Sequence, residues 1–145
     1  GGTERQFSVR NGLLAFDEAP DIVLVHDAVR PLVSRDVITT IIDASRKYKA
    51  AVVGVPVKDT IKLESDGFYR KTLDRSRLRA VQTPQGFRYE ILMRAHLAAQ
   101  RSAFLGTDES SLVERLRIPV KVVPGDPKNI KITTKDDLKF AEFLL

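Results

Sequence analysis

Cysteine is absent from this 145-residue sequence, and histidine occurs only at His26 and His96. The sequence therefore has no disulfide framework, no thiolate metal site and no catalytic thiol. Two imidazoles without a thiol argue against a zinc site built only from protein ligands. No apolar run reaches the roughly 18 residues of a membrane span, and no signal peptide is visible. These absences favour a cytoplasmic protein.

Three glycine-containing signatures are also missing. The sequence contains no GxGxxG, no GxxxxGK[ST] and no GxSxG pattern. A classical dinucleotide-binding protein, a P-loop nucleotide triphosphatase and an α/β serine hydrolase are therefore unsupported.

The bulk composition is that of one globular domain. Hydrophobic residues make up 43% and charged residues 30% of the chain, and the net charge is +5. The basic residues are spread along the sequence, which argues against a nucleic-acid-binding tail. A dispersed basic surplus suits a protein that handles anionic small molecules such as phosphates.

Short apolar runs alternate with helical periodicity along the chain. The predicted strands are 22–25, 51–57, 78–82 and 120–123, with an extended segment at 129–132, and the predicted helices are 8–16, 34–45, 89–101, 108–116 and 134–145. The 78–82 strand is expected to stop at Thr83-Pro84-Gln85-Gly86. Alternating strands and helices predict an α/β fold with a mainly parallel sheet.

One segment departs from this alternation. Residues 59–71 alternate polar and apolar side chains around a turn at Ser65-Asp66-Gly67, which predicts a β-hairpin. A two-stranded ribbon is rarely stable alone, so we expect it to pack against another subunit. The predicted organisation is one domain over 1–145 with a dimerisation arm at about 57–77.

The loop after the first strand carries the first candidate site. An aspartate at position 27 can bind Mg²⁺ or accept a substrate hydroxyl, and Arg30 can hold a phosphate. Ligands of open α/β sheets bind beyond the carboxyl ends of the strands. A strand-end turn with a surface ion pair explains the same residues equally well.

Five further polar positions admit both a functional and a structural interpretation. Arg75 could grip a phosphate, although a solvated charged turn is favoured there. Thr83 lies in a rigid turn, and Thr107 precedes a helix, where it could bind an anion or act as a cap. Asn129 and Lys131 occupy alternate positions of an extended segment and suit either a nucleotide phosphate or a solvent-facing edge.

The order of these motifs is more specific than any one of them. The stretches are Gly1-Gly2-Thr3-Glu4-Arg5-Gln6-Phe7-Ser8-Val9, Leu24-Val25-His26-Asp27-Ala28-Val29-Arg30-Pro31, Pro56-Val57-Lys58-Asp59-Thr60-Ile61-Lys62, Asp74-Arg75, Gln82-Thr83-Pro84-Gln85, Thr107-Asp108-Glu109 and Asn129-Ile130-Lys131-Ile132-Thr133. Together they resemble the 2-C-methyl-D-erythritol 4-phosphate cytidylyltransferase family over the whole 145 residues.

The resemblance implies a Rossmann-like nucleotidyltransferase fold and an activity. Members of the family transfer CMP from CTP to 2-C-methyl-D-erythritol 4-phosphate in the non-mevalonate isoprenoid pathway, usually with Mg²⁺. By resemblance, Gly2, Thr3 and Ser8 lie near the nucleotide, and Lys131, Asp27 and Arg75 are catalytic. Substrate binding falls to Arg75, Thr83, Thr107, Lys131 and Arg30, of which Arg75 and Thr83 reach the substrate on the partner subunit. The metal-side residues are Asp27 and Asn129.

The sequence also departs from the family's pattern. The glycine-rich loop that holds the triphosphate is not found, so the chain is expected to be a carboxyl-terminal portion with little or no turnover alone. A cytoplasmic location, or the plastid stroma in a plant, is expected. Two alternatives stay open: a transferase for another polyol phosphate, such as a ribitol phosphate, and an inactive binding or dimerisation module.

Overall fold

The computed structural model describes all residues from Gly1 to Leu145. The strands are β1 (Ile22–Val25), β2 (Ala50–Pro56), β3 (Lys62–Ser65), β4 (Phe68–Thr72), β5 (Arg79–Arg88) and β6 (Lys121–Pro124). The helices are α1 (Arg5–Leu14), α2 (Arg35–Tyr48), α3 (Tyr89–Arg101), α4 (Glu109–Arg115) and α5 (Lys135–Leu144), with one 3₁₀ turn at Arg75–Arg77. None of these helices has the length and apolar character to cross a membrane.

The central sheet has the strand order β1-β5-β2-β6. The α/β prediction is confirmed, but the predicted mainly parallel pairing is wrong. The β1–β5 and β2–β5 pairs are antiparallel, and only the β2–β6 pair is parallel. The strands β1, β2 and β6 do share one direction, because β5 enters between β1 and β2 and runs against both.

Strand β5 is longer than predicted. The expected stop at Thr83 is wrong, since pairing with β2 resumes beyond it and β5 ends at Arg88. The register explains this continuation: Val53 pairs with Gln82 and Val52 with Gln85, so that Thr83 and Pro84 bulge out without partners in β2. A proline can occupy a bulge because no ladder hydrogen bond is required of it there.

Local capping signals place most helices where the sequence predicts them. The Ser34 hydroxyl accepts a hydrogen bond from the Val37 backbone N–H at 3.3 Å and begins α2. Thr134 and Asp137 form a reciprocal capping box at the start of α5. Helix α3 has its predicted bounds, whereas α1 begins three residues earlier than predicted, at Arg5.

The sheet is buried on both faces. On one face, α1, α3 and α4 contribute Leu13, Leu92 and Leu112 to a core that surrounds Phe87. On the other face, Ile41 of α2 packs against apolar residues of β2 and β6. This three-layer arrangement exposes the ends of the strands and leaves the loops at the sheet's rim free to form a site.

The predicted hairpin is confirmed as the antiparallel pair β3–β4. Every residue from 58 to 72 is exposed, including Phe68 at 68% and Tyr69 at 76% of their maximal surface. The hairpin therefore extends away from the domain with large aromatic side chains in solvent.

Candidate active site

Asp27 lies at the centre of a cluster of cations. It belongs to the loop that follows β1 at the carboxyl end of that strand. Its Oδ2 is 3.2 Å from Lys131 Nζ and 3.8 Å from Arg30 Nε, and its Oδ1 is 3.4 Å from an Nη of Arg5. One carboxylate thus gathers three cations from different segments of the chain, at the edge where α/β sheets bind ligands.

This environment keeps Asp27 ionised. Burial alone would raise the pKa of the carboxyl, but the hydrogen bond and charge of Lys131 and the charges of Arg5 and Arg30 outweigh it. The net effect holds the pKa of Asp27 below its ordinary value. At neutral pH the ionised carboxylate therefore faces three cations, one of which, Arg5, also pairs with Glu109.

Hydrogen bonds from β5 fix the Asp27 loop. The Asp27 backbone N–H donates to the Thr83 hydroxyl at 2.9 Å, and that hydroxyl lies 3.1 Å from His26 Nδ1. Thr83 is only 6% exposed. The bulge in β5 turns Thr83 beneath the loop, where its hydroxyl is engaged inside its own subunit. That Thr83 reaches a substrate on the partner stays a prediction.

Asn129 lies underneath the same loop. It is fully buried, its Nδ2 donates to the Thr83 carbonyl at 2.8 Å, and its carbonyl accepts from Arg30 Nη1 at 2.7 Å. Its Oδ1 has no hydrogen-bond partner. In the free protein Asn129 supports Thr83 and Arg30. Its predicted metal-side role stays a prediction.

The ion pair between Arg5 and Glu109 was not predicted from the sequence. Arg5 Nη1 lies 2.7 and 2.6 Å from the two carboxylate oxygens of Glu109, whose side chain is 1% exposed. Burial raises the pKa of Glu109, although the hydrogen bond and charge of Arg5 act against that shift. The two residues are 104 positions apart, and no local pattern predicts their pairing. The resemblance included both residues within quoted motifs without assigning them a role.

A shallow cleft of about 290 Å³ lies beside the cluster. Its polar lining includes Arg5, Ser8, Asp27 and Lys131. The predicted nucleotide-side residue Ser8 thus shares a cleft with the predicted catalytic pair Asp27 and Lys131.

The other predicted nucleotide-side residues, Gly2 and Thr3, are exposed and precede α1. A Cβ on Gly2 would come within 2.9 Å of the Ser8 backbone nitrogen. The backbone at Gly2 therefore lies directly against the first turn of α1, next to Ser8. Any larger residue at this position would have to push that turn away.

Thr107 is exposed and lies two residues before Glu109. Because Glu109 binds Arg5 and Arg5 contacts Asp27, Thr107 belongs to the same rim of the sheet. It makes no hydrogen bond to Asp27 or Lys131. Thr107 does not line the cleft and its hydroxyl makes no hydrogen bond, so its predicted substrate-binding role stays a prediction.

Arg75 lies apart from the cluster. It begins the 3₁₀ turn at the base of the hairpin, and its guanidinium donates to the Lys58 carbonyl. Within one chain it contacts neither Asp27 nor Lys131. A role for Arg75 in catalysis therefore requires the site of a second copy, as the resemblance implies.

No group of three or more histidine, cysteine, aspartate or glutamate side chains is arranged to hold a metal ion. A second, larger cavity of about 440 Å³ lies at the opposite end of β1 and is lined in part by Arg46, Arg88 and Tyr89. None of the predicted site residues lines that cavity.

Comparison with known proteins decides the family. Residues 1–145 match the family model of 2-C-methyl-D-erythritol 4-phosphate cytidylyltransferase. The chain belongs to this family. A cytidylyltransferase of this name from Caldanaerobacter subterraneus subsp. tengcongensis is 53% identical over 146 residues, which cover 100% of the chain and 64% of that protein. The corresponding Geobacillus kaustophilus protein is 51% identical, with coverage of 100% and 63%. The chain thus spans less than two thirds of the length of these curated relatives.

Solved structures of the family share the fold. The crystal structure of the Thermus thermophilus cytidylyltransferase superposes with a TM-score of 0.91 at 40% identity, covering 99% of this chain and 70% of that one. The Francisella tularensis enzyme gives a TM-score of 0.93 at 37% identity, covering 100% and 70%. The Rossmann-like α/β fold implied by the resemblance is confirmed.

Proposed function

We propose that the protein transfers CMP from CTP to 2-C-methyl-D-erythritol 4-phosphate in the non-mevalonate route to isoprenoids. A phosphate oxygen of the methylerythritol phosphate attacks the α-phosphorus of CTP. The bond from that phosphorus to the bridging oxygen of the β-phosphate breaks, and pyrophosphate leaves with the bonding electrons. The family membership and the cation cluster around Asp27 support this function.

The single observation that carries the proposal is the ion-paired cluster of Asp27, Lys131, Arg5 and Arg30 at the sheet's rim. Two phosphorylated anions must approach each other in the reaction, and positive side chains offset their repulsion. Phosphoryl and nucleotidyl transfer need no protein nucleophile, because catalysis consists of positioning and charge stabilisation. A cleft rich in cations and free of thiols is suited to that chemistry.

We propose the roles that the resemblance implies for these residues. Lys131 binds phosphate oxygens, and Asp27 orders the cations around it. Thr107 holds the methylerythritol phosphate with Lys131, and Arg30 supports the substrate side. Ser8, with Gly2 and Thr3, contacts the nucleotide. Arg75 acts on the substrate held by a second copy.

The proposal includes Mg²⁺ held by Asp27. Mg²⁺ is commonly bound by one or two carboxylates together with substrate phosphates and water. The Asp27 carboxylate fits this pattern because its side chain is 15% exposed at the cleft, although Lys131 and Arg5 occupy its oxygens in the free protein. When bound, the ion would neutralise charge on the triphosphate. Asp27 and the phosphates would supply its anionic ligands.

The hairpin supports a proposed homodimer in which the arms cross. All of its residues from 58 to 72 are exposed, and they include Phe68, Tyr69 and Leu63. Two strands with large apolar side chains in water are not stable without further packing. A second copy would cover these residues and bring Arg75 to the partner's cleft. We also propose that the protein acts in the cytoplasm, or in the plastid stroma of a plant.

The decisive test is pyrophosphate release by protein made from the complete gene, with CTP, methylerythritol phosphate and Mg²⁺. We expect Lys131→Ala and Asp27→Ala each to lower kcat/KM at least about a hundredfold, the scale of removing one preorganised charge contact. Lys139→Ala removes an exposed lysine from α5 and serves as the matched control. Unchanged rates in both site variants would show that the cluster takes no part in the reaction, and no pyrophosphate release by the parent would indicate a non-catalytic binding module.

Two further measurements complete the test. A panel of polyol phosphates, including ribitol phosphate, identifies the acceptor, and preference for another polyol would overturn the substrate assignment. The 145-residue chain is expected to give little or no turnover by itself, because more than a third of the relatives' length has no counterpart in it. Full-rate pyrophosphate release from that chain would refute this expectation.

A further inference from the structure

We propose that Glu109 is a positioning residue that aims Arg5 into the cleft, where Arg5 forms a second phosphate-binding cation opposite Lys131. The inference rests on the proposed function in so far as it concerns the phosphates of that reaction. It adds two residues to the site that neither the motifs nor the comparisons assign.

One half of the Arg5 guanidinium is fixed by Glu109. Both carboxylate oxygens of Glu109 contact the same nitrogen, Arg5 Nη1, at 2.7 and 2.6 Å. Glu109 is the first residue of α4 and is 1% exposed, so its side chain has little freedom. A buried carboxylate that holds one nitrogen sets the direction of the whole planar group.

The other half of the Arg5 guanidinium has few contacts. The other terminal nitrogen, Nη2, has a single long contact, 3.4 Å to Asp27 Oδ1. The Arg5 side chain is 40% exposed and lines the same cleft as Lys131 and Ser8. Arginine can present two parallel N–H groups to a phosphate. The unoccupied donors of Arg5 therefore face the space that an anion would enter.

The two carboxylate oxygens of Asp27 contact different cations. Arg5 approaches one carboxylate oxygen, and Lys131 approaches the other. In the free protein the aspartate keeps both cations at the cleft and prevents them from repelling each other. Arg5 and Lys131 both line the cleft, so a phosphate bound there would accept hydrogen bonds from both.

A tie between α1 and α4 is the competing explanation of this ion pair. Such a tie would affect stability but not anion affinity. For comparison, both members of the ion pair between Arg46 and Asp43 are exposed, with side chains 66% and 69% exposed. An ion pair at the surface of this protein therefore does not need one buried member. Burial of Glu109 together with exposure of Arg5 is what a positioning role requires.

The experiment measures the affinity of the 145-residue chain for inorganic pyrophosphate by isothermal titration calorimetry at low ionic strength. The variants are Glu109→Gln, Arg5→Lys, their combination, and Glu109→Asp. We expect Glu109→Gln and Arg5→Lys each to weaken binding roughly tenfold. The double variant should be no weaker than the weaker single variant, because both changes disable the same contact. Glu109→Asp keeps the charge and should bind better than Glu109→Gln.

The control is Asp136→Asn, which makes the same change of charge in an exposed ion pair on α5 and should leave the affinity unchanged. Urea unfolding of each variant separates stability from binding. Lower stability with unchanged affinity in Glu109→Gln and Arg5→Lys would overturn the proposal, as would additive losses or no binding by the parent chain. If Glu109→Gln does not fold, Arg5→Lys alone decides. If the two substitutions have non-additive effects on pyrophosphate affinity while the chain does not bind methylerythritol phosphate, that result would leave this inference standing and refute the proposed substrate.

Discussion

Replacement of Thr83 tests whether β5 supports the Asp27 loop from below. The Thr83 hydroxyl accepts the Asp27 backbone N–H at 2.9 Å, and the residue is 6% exposed. Thr83→Val keeps the shape and removes the hydroxyl. The Asp27 N–H then has no partner in a partly buried position.

The expected magnitude follows from that single donor. A buried donor left without an acceptor costs about 1–3 kcal/mol. His26 also loses a contact, but its ring is exposed and can bind water instead. We therefore expect Thr83→Val to lower the free energy of unfolding by about 2 kcal/mol. Thr83→Ser keeps the hydroxyl, loses one methyl group and should cost about 1 kcal/mol or less.

The assay is equilibrium urea denaturation followed by circular dichroism, with parent, Thr83→Ser and Thr83→Val compared at neutral pH. Equal stability of Thr83→Val and parent would refute the reasoning, because the hydrogen bond to Asp27 would then contribute nothing. A loss of substrate affinity without any loss of stability would instead support the sequence-based expectation that Thr83 reaches a ligand on the partner.

Two other predictions concern α5 and the hairpin. Hydrogen bonds from Thr133 and Thr134 lower the pKa of Asp137 from 3.8 to about 2, so its ionised form stabilises α5 above pH 3.8, and this stabilisation is lost as the pH falls through 2. At neutral pH, Asp137→Asn should therefore be less stable than the parent, and the difference in the free energy of unfolding should shrink below about pH 4. Asp136→Asn is the neighbouring control. A difference in stability that does not change with pH would contradict the cause given. Deletion of residues 59–69 should convert dimers into monomers in sedimentation velocity and raise the KM for methylerythritol phosphate. Dimers that persist would show that the arm does not form the interface.

Local sequence patterns predicted much of the fold. The apolar run of β1 and the caps at Ser34 and Thr134 depend on neighbours within a few residues, and the structure confirms them. The antiparallel insertion of β5 could not be read in this way. Its pairing with both β1 and β2 depends on long-range contacts, and Pro84, which suggests a stop, lies in a bulge.

Part of the site was also predictable, because some of its residues lie within short motifs. Asp27 and Lys131 lie in segments that the resemblance identified, and they form an ion pair in the structure. The pairing of Arg5 with Glu109 joins the first residues of two helices that are far apart in sequence. The burial of Asn129 beneath the loop likewise depends on how β5 bulges, which no motif reports.

The central claim is that loops at the sheet's rim form a cleft where phosphates bind between Lys131 and Arg5. The most direct test is to titrate the ¹⁵N-labelled chain with 2-C-methyl-D-erythritol 4-phosphate and follow the backbone amide shifts by nuclear magnetic resonance. We predict saturable shifts at Arg5, Asp27, Thr107 and Lys131. Shifts confined to the cavity lined by Arg46 and Arg88 at the opposite end of β1, or no saturable shifts at all, would contradict the account.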